Sequence, residues 1–198
     1  QSHDSTLFIT EKMKKIVFLI FLFLTACGPT IEPPKPLPVT EQTTFEEGTP
    51  YIIGAINRAN LLTYAHSQWF QKEYDFFKLN TDWVEEMKPY AQGLQYKWFL
   101  GTWCEDSQRQ VPAMFKILDA LGMQDQDILI YSMDEDKVTP QQYEKGLNII
   151  NIPTLIFYKD GQEMNRIVEF PVESLYKDMA KILKSEPYQD AYYDLVHP

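Results

Sequence analysis

The apolar run Trp98-Phe99-Leu100 stops at Gly101, and within a few residues an amphipathic run opens that extends over 110–121. A buried strand feeding straight into a helix is a step of a sheet flanked by helices, and with the elements that follow it reads as an α/β arrangement. A cysteine, Cys104, stands at the junction. There it meets the positive end of the helix dipole, which stabilises a thiolate and makes it a better nucleophile.

The pattern on either side completes the unit. Residues 51–54 form a short apolar run that reads as a strand, and apolar positions from Leu61 to Phe77 recur near helical spacing, predicting a helix over 60–78 capped by Asn60. A second helix, capped by Thr81 or Asp82, runs to about Tyr90. The central segment then reads as strand 95–102, helix 107–121, strand 128–133, and a short helix at 140–145 after the acidic loop Asp134-Glu135-Asp136. Strands 154–158 and 163–169 flank Lys159-Asp160-Gly161, a hairpin signal, and a last helix covers 172–184. The strands around the helices are expected to pair in parallel, with the antiparallel hairpin at one side.

The 198 residues are 44% hydrophobic and 14% aromatic, enough for a packed core. A formal net charge of −10 argues against nucleic acid and anionic membrane surfaces as electrostatic partners.

Met13-Lys14-Lys15, the apolar run 16–24 and the small residues before Cys27 have the layout of a secretory signal. The run is far shorter than the ~20 residues that span a bilayer. Leu24-Thr25-Ala26-Cys27 looks like a bacterial lipobox, which implies lipidation at Cys27 and a cell-envelope location. Gly28 lacks the aspartate associated with inner-membrane retention, which points to the periplasmic face of the outer membrane where a cell has one. On this reading residues 1–12 are an over-long gene-model start and 13–26 the signal peptide. Residues 27–48, carrying Pro29, Pro33, Pro34, Pro36 and Pro38, form an extended tether. Cys104 is then the one free thiol, in a compartment where cysteines normally pair.

Two separated motifs resemble the thioredoxin family. The first is Trp103-Cys104-Glu105-Asp106-Ser107 followed by Pro112; the second is Asn151-Ile152-Pro153-Thr154, its apolar strand, and Lys159-Asp160-Gly161. The resemblance covers residues 81–184 and implies a thioredoxin-like α/β fold, a central mixed sheet flanked by helices. Residues 49–80 are then an N-terminal helical extension and 185–198 a tail. It also implies that Cys104 is the nucleophile and that Ile152, Pro153 and Thr154, with Trp103, dock an extended substrate. In that family the proline is cis, an isomer found at roughly 5–6% of X–Pro bonds.

Two positions depart from the family. Ser107 stands where the second cysteine belongs, so a mixed disulfide on Cys104 waits for an external thiol. Ser107 is expected to hydrogen-bond the Cys104 thiolate, against which Glu105 and Asp106 act as like charges. Trp98 stands where the family has a buried aspartate that moves protons during resolution. The dithiol cycle is therefore excluded, whereas isomerisation or monothiol exchange with envelope protein thiols and disulfides remains open. The alternative is a redox-inactive binding module that uses the same groove for peptides.

No cofactor is called for. His3, His66 and His197 are scattered and suggest no metal site, and Asp134-Glu135-Asp136 lacks a calcium-loop glycine. Tyr64, Trp69, Phe70, Tyr74, Phe76 and Phe77 read as core packing, and Tyr188, Tyr192 and Tyr193 as residues that dock the tail.

Overall fold

A computed structural model describes residues 40–43, 50–63 and 68–197. The lipobox, Cys27, most of the tether, His3, Tyr64 and His66 lie outside the described residues. A six-stranded sheet runs in the order β1-β2-β4-β3-β5-β6. Its strands are β1 (Thr40–Thr43), β2 (Pro50–Ile56), β3 (Leu94–Leu100), β4 (Ile128–Ser132), β5 (Thr154–Lys159) and β6 (Gln162–Val168).

β3 and β4, which flank α4 (Glu105–Leu121), pair in parallel, and β5 and β6 form the antiparallel hairpin. Asp160 and Gly161 both take positive φ, as a two-residue hairpin turn requires. β2 departs from the expected pairing: it lies antiparallel to β4. Its register is tied by side chains, with Ser132 Oγ donating to the Ile52 carbonyl at 2.6 Å and Ile52 N–H donating to Thr102 Oγ1 at 3.1 Å.

The period-2 pattern of β3 divides two cores. Tyr96, Trp98 and Leu100 face Met114, Phe115 and Leu118 of α4, while Phe99 packs with Met133, Ile152 and Ile156 on the other side. Trp98 and Phe115 hold their rings 4.7 Å apart.

Several local expectations need correction. The region 60–78 is helical as α1 (Arg58–Thr63) and α2 (Gln68–Phe76), with 64–67 outside the described residues. Asn57 caps α1, and Asn60 answers it: each side-chain Oδ1 accepts the other's backbone N–H at 3.0 Å, a reciprocal box. α3 (Thr81–Met87) is capped by Asn80, whose side chain reaches Trp83 N–H, not by Thr81 or Asp82. Phe70 is buried, with Trp69, Tyr74 and Phe77 packed against the core, but Phe76 is 76% exposed.

Residues 140–145 form turns in place of a helix. Gln142 sits at φ +58, and Glu144 Oε2 accepts both the hydroxyl and the N–H of Thr139, folding the segment back on itself. α5 (Leu175–Leu183) starts later than 172, because Ser174 is its cap and Asp178 takes the N–H groups of Val172 and Glu173. A short α6 (Tyr193–Val196) ends the tail.

Among the described residues, no helix is long and apolar enough to cross a membrane.

Candidate active site

The site is built where β3 ends and α4 begins. α4 starts at Glu105, two residues before the expected Ser107, and Cys104 is its N-cap. Besides the Ile52–Thr102 bond, four further hydrogen bonds hold the intervening loop. Cys104 N–H donates to the Gly101 carbonyl at 3.1 Å, and Gln108 Nε2 to the Thr102 carbonyl at 2.8 Å. Trp103 Nε1 donates to the Met133 carbonyl at 2.9 Å, and Gly101 N–H to Ser107 Oγ at 3.1 Å.

Gly101 is required by space. A Cβ there would lie 2.8 Å from Trp103 Nε1 and 2.9 Å from Ile152 Cδ1, closer than real side chains approach.

Cys104 is half-buried and unpaired. Its Sγ lies 3.7 Å from the Ile152 carbonyl oxygen, across from the loop that precedes β5. The Ile152–Pro153 peptide is cis. Ile152, Pro153 and Thr154 are all buried, with Thr154 Oγ1 donating to the Asn151 carbonyl at 2.6 Å. The two sequence motifs, almost fifty residues apart, thus meet at one point.

Ser107 does not do what the sequence suggested. Its side chain is fully buried and its hydroxyl is engaged with Gly101; among the described residues it makes no hydrogen bond to Cys104. Trp98 is likewise fully buried, and its indole N–H has no acceptor among the described residues. The position is thus filled by an indole packed on the Phe115 ring. Glu105 is exposed and Asp106 pairs with Arg109 one turn on, as first-turn acids do. The described residues hold no group of three or more histidine, cysteine, aspartate or glutamate side chains that could bind a metal ion.

The sequence did not single out Asn151, Glu169 or Tyr192 as site residues, yet all three are hydrogen-bonded beside Pro153. Glu169 and Tyr192 sit in irregular segments, and their proximity comes from β6 and the tail folding back, which leaves no periodic trace.

A helix-capping cysteine opposite a cis-proline loop, on a mixed sheet between helices, defines a thioredoxin-like protein. A family model described as "Thioredoxin" matches residues 60–181. The chain is 36% identical over 93 residues to thioredoxin of Staphylococcus aureus, covering 46% of this chain and 84% of that one. Among solved structures, a Pseudomonas aeruginosa protein of unknown function aligns at 17% identity and a TM-score of 0.42, over 67% of this chain and 87% of that one. Oxidised mitochondrial thioredoxin 3 of Saccharomyces cerevisiae aligns at 22% identity and 0.34, over 57% and 97%. The chain belongs to the thioredoxin family.

Proposed function

We propose that this is a cell-envelope lipoprotein whose thioredoxin-like domain acts as a monothiol disulfide oxidoreductase or isomerase through Cys104. The observation that carries the reading is the 3.7 Å approach of Cys104 Sγ to the Ile152 carbonyl beside cis-Pro153. A partner segment lying along that loop brings its own disulfide to the thiol.

The chemistry needs one nucleophile. The Cys104 thiolate attacks one sulfur of the partner disulfide; the S–S bond breaks, and the second sulfur leaves as a thiolate that takes up a proton. A different thiolate of the partner then attacks the mixed disulfide, forming a new partner disulfide and returning Cys104 as thiolate. No net electrons are transferred, so isomerisation closes without a second thiol on this chain. Alternatively an external thiol displaces Cys104 and remains bonded to the partner sulfur.

Export and anchoring rest on Met13-Lys14-Lys15, the apolar run and Leu24-Thr25-Ala26-Cys27. Cys27→Ser is expected to abolish lipid labelling and release the protein from the membrane fraction.

The decisive experiment is trapping in cells. Envelope extracts alkylated at once and run without reductant should show adducts that vanish on reduction and in Cys104→Ser. Their absence at native expression would remove the exchange reading. It would leave the second reading, a peptide-binding module, which is favoured by one observation: fully buried Trp98 supplies no acid to move protons.

A further inference from the structure

The loop opposite Cys104 is braced from behind by four polar side chains drawn from separate parts of the chain. Lys137, in the turn after β4, donates from Nζ to the Ile150 carbonyl at 3.0 Å and to Asn151 Oδ1 at 2.6 Å. Asn151 Nδ2 donates onward to Glu169 Oε2 at 3.1 Å, and the same oxygen accepts the Tyr192 hydroxyl. Glu169 closes the circuit through its backbone, donating N–H to the Pro153 carbonyl at 2.7 Å. Ile152 and Pro153 therefore lie between residues whose positions are set by hydrogen bonds.

Glu169 sits at φ +61, a left-handed conformation that glycine adopts freely and a side chain disfavours. Backbone geometry alone would select glycine here. A glutamate brings instead a carboxylate that joins the proline loop, the end of β6 and the tail. Tyr192 is delivered by that tail, its ring edge-on to exposed Phe170 with centroids 6.0 Å apart. The hydrogen bond to Glu169 is the main cause that raises the Tyr192 hydroxyl above its ordinary pKa.

We propose that Glu169 and Tyr192 are positioning residues for the docking loop. Through Asn151 they hold the Ile152–Pro153 edge opposite Cys104, so the C-terminal tail is a working part of the site. The consequence for exchange rests on the monothiol reading above. A partner that must lie along the loop depends on the brace, whereas a small disulfide that needs only the thiol does not.

The test uses the full chain in a Cys27→Ser background, so that Cys104 is its one thiol, with three further substitutions. Tyr192→Phe keeps the ring and removes the hydroxyl, Glu169→Gln keeps an acceptor, and Glu169→Gly relieves the backbone while removing the carboxylate. Two quantities are measured: amide hydrogen exchange at Ile152, Thr154 and Glu169, and thionitrobenzoate release by Cys104. Release is followed from Ellman's reagent and from an extended peptide whose cysteine carries the thionitrobenzoate group.

Tyr192→Phe and Glu169→Gly should speed amide exchange and slow the peptide reaction about five-fold, the order of one lost hydrogen bond. The Ellman rate should be unchanged, and Glu169→Gln should retain most of the peptide rate. Unaltered amide protection or equal slowing of both reagents would overturn the proposal. If the parent chain reacts with neither reagent, the monothiol reading fails, and amide exchange still decides the brace.

Discussion

The Ser107 hydroxyl and the Gly101 amide form a fully buried pair, with Gly101 N–H donating to Ser107 Oγ at 3.1 Å. Ser107 is thus a structural tie between the end of β3 and the first turn of α4. It keeps the Cys104 loop closed and, among the described residues, makes no hydrogen bond to Cys104.

Ser107→Ala should strand the Gly101 N–H away from water. Leaving a buried donor unsatisfied costs about 1–3 kcal/mol, which a urea midpoint will register. Ser107→Cys places a second thiol one helical turn from Cys104 at the cost of a weaker acceptor. Mixed disulfides trapped on Cys104 should then become scarcer, as an internal thiol displaces the partner; an unchanged yield would contradict this.

Gly101→Ala should disturb Trp103 and Ile152 together. The new methyl would sit 2.8 Å from an indole nitrogen already held by the Met133 carbonyl, so the ring cannot simply swing away. Overpacking of this kind costs about 1–3 kcal/mol. Thermal unfolding measures that loss, and altered tryptophan fluorescence reports the displaced ring.

Tyr74 ties α2 to α4 by donating its hydroxyl to Asp119 Oδ2 at 2.7 Å, beside the bidentate Arg58–Asp119 pair. Burial first, and then this hydrogen bond, push its pKa from 10.0 up to about 12. The folded state therefore holds the proton more tightly than the unfolded chain. The resulting stabilisation is complete below pH 10 and is lost as pH rises towards about 12. In Tyr74→Phe the decline in stability across that window should be shallower than in the parent; parallel curves would refute the assignment.

Asp178 is fully buried and accepts the Glu173 N–H at 3.2 Å and the Tyr188 hydroxyl at 3.1 Å, besides Val172 N–H. Asp178→Ala should cost about 3 kcal/mol, since several donors lose their acceptor at once. Because those donors fix the turn after β6 and the tail, amide protection at Val172 and Glu173 should fall with the unfolding midpoint.

Local pattern carried much of the fold. The strand-to-helix junction at Cys104 and the Lys159-Asp160-Gly161 turn were legible because hydrophobic period and left-handed turn residues are properties of short stretches. The helix expected at 140–145 fails for a tertiary reason. Tyr143 stacks on Tyr131 at 4.5 Å and Thr139 closes on Glu144, so the segment covers the sheet face as turns. Asn57 took the cap assigned to Asn60 because either asparagine satisfies the local rule, and the reciprocal bond uses both.

The residues alone identified a thiol at a helix start, a proline-threonine loop after it and the family to which both belong. Each depends on neighbours in the chain, where side-chain type and spacing suffice. The folded chain decided what Ser107 bonds to, which way β2 runs, and that Glu169 and Tyr192 stand behind Pro153. These are contacts across long sequence separations, selected by packing and by the need to satisfy buried polar groups, and no local pattern encodes them.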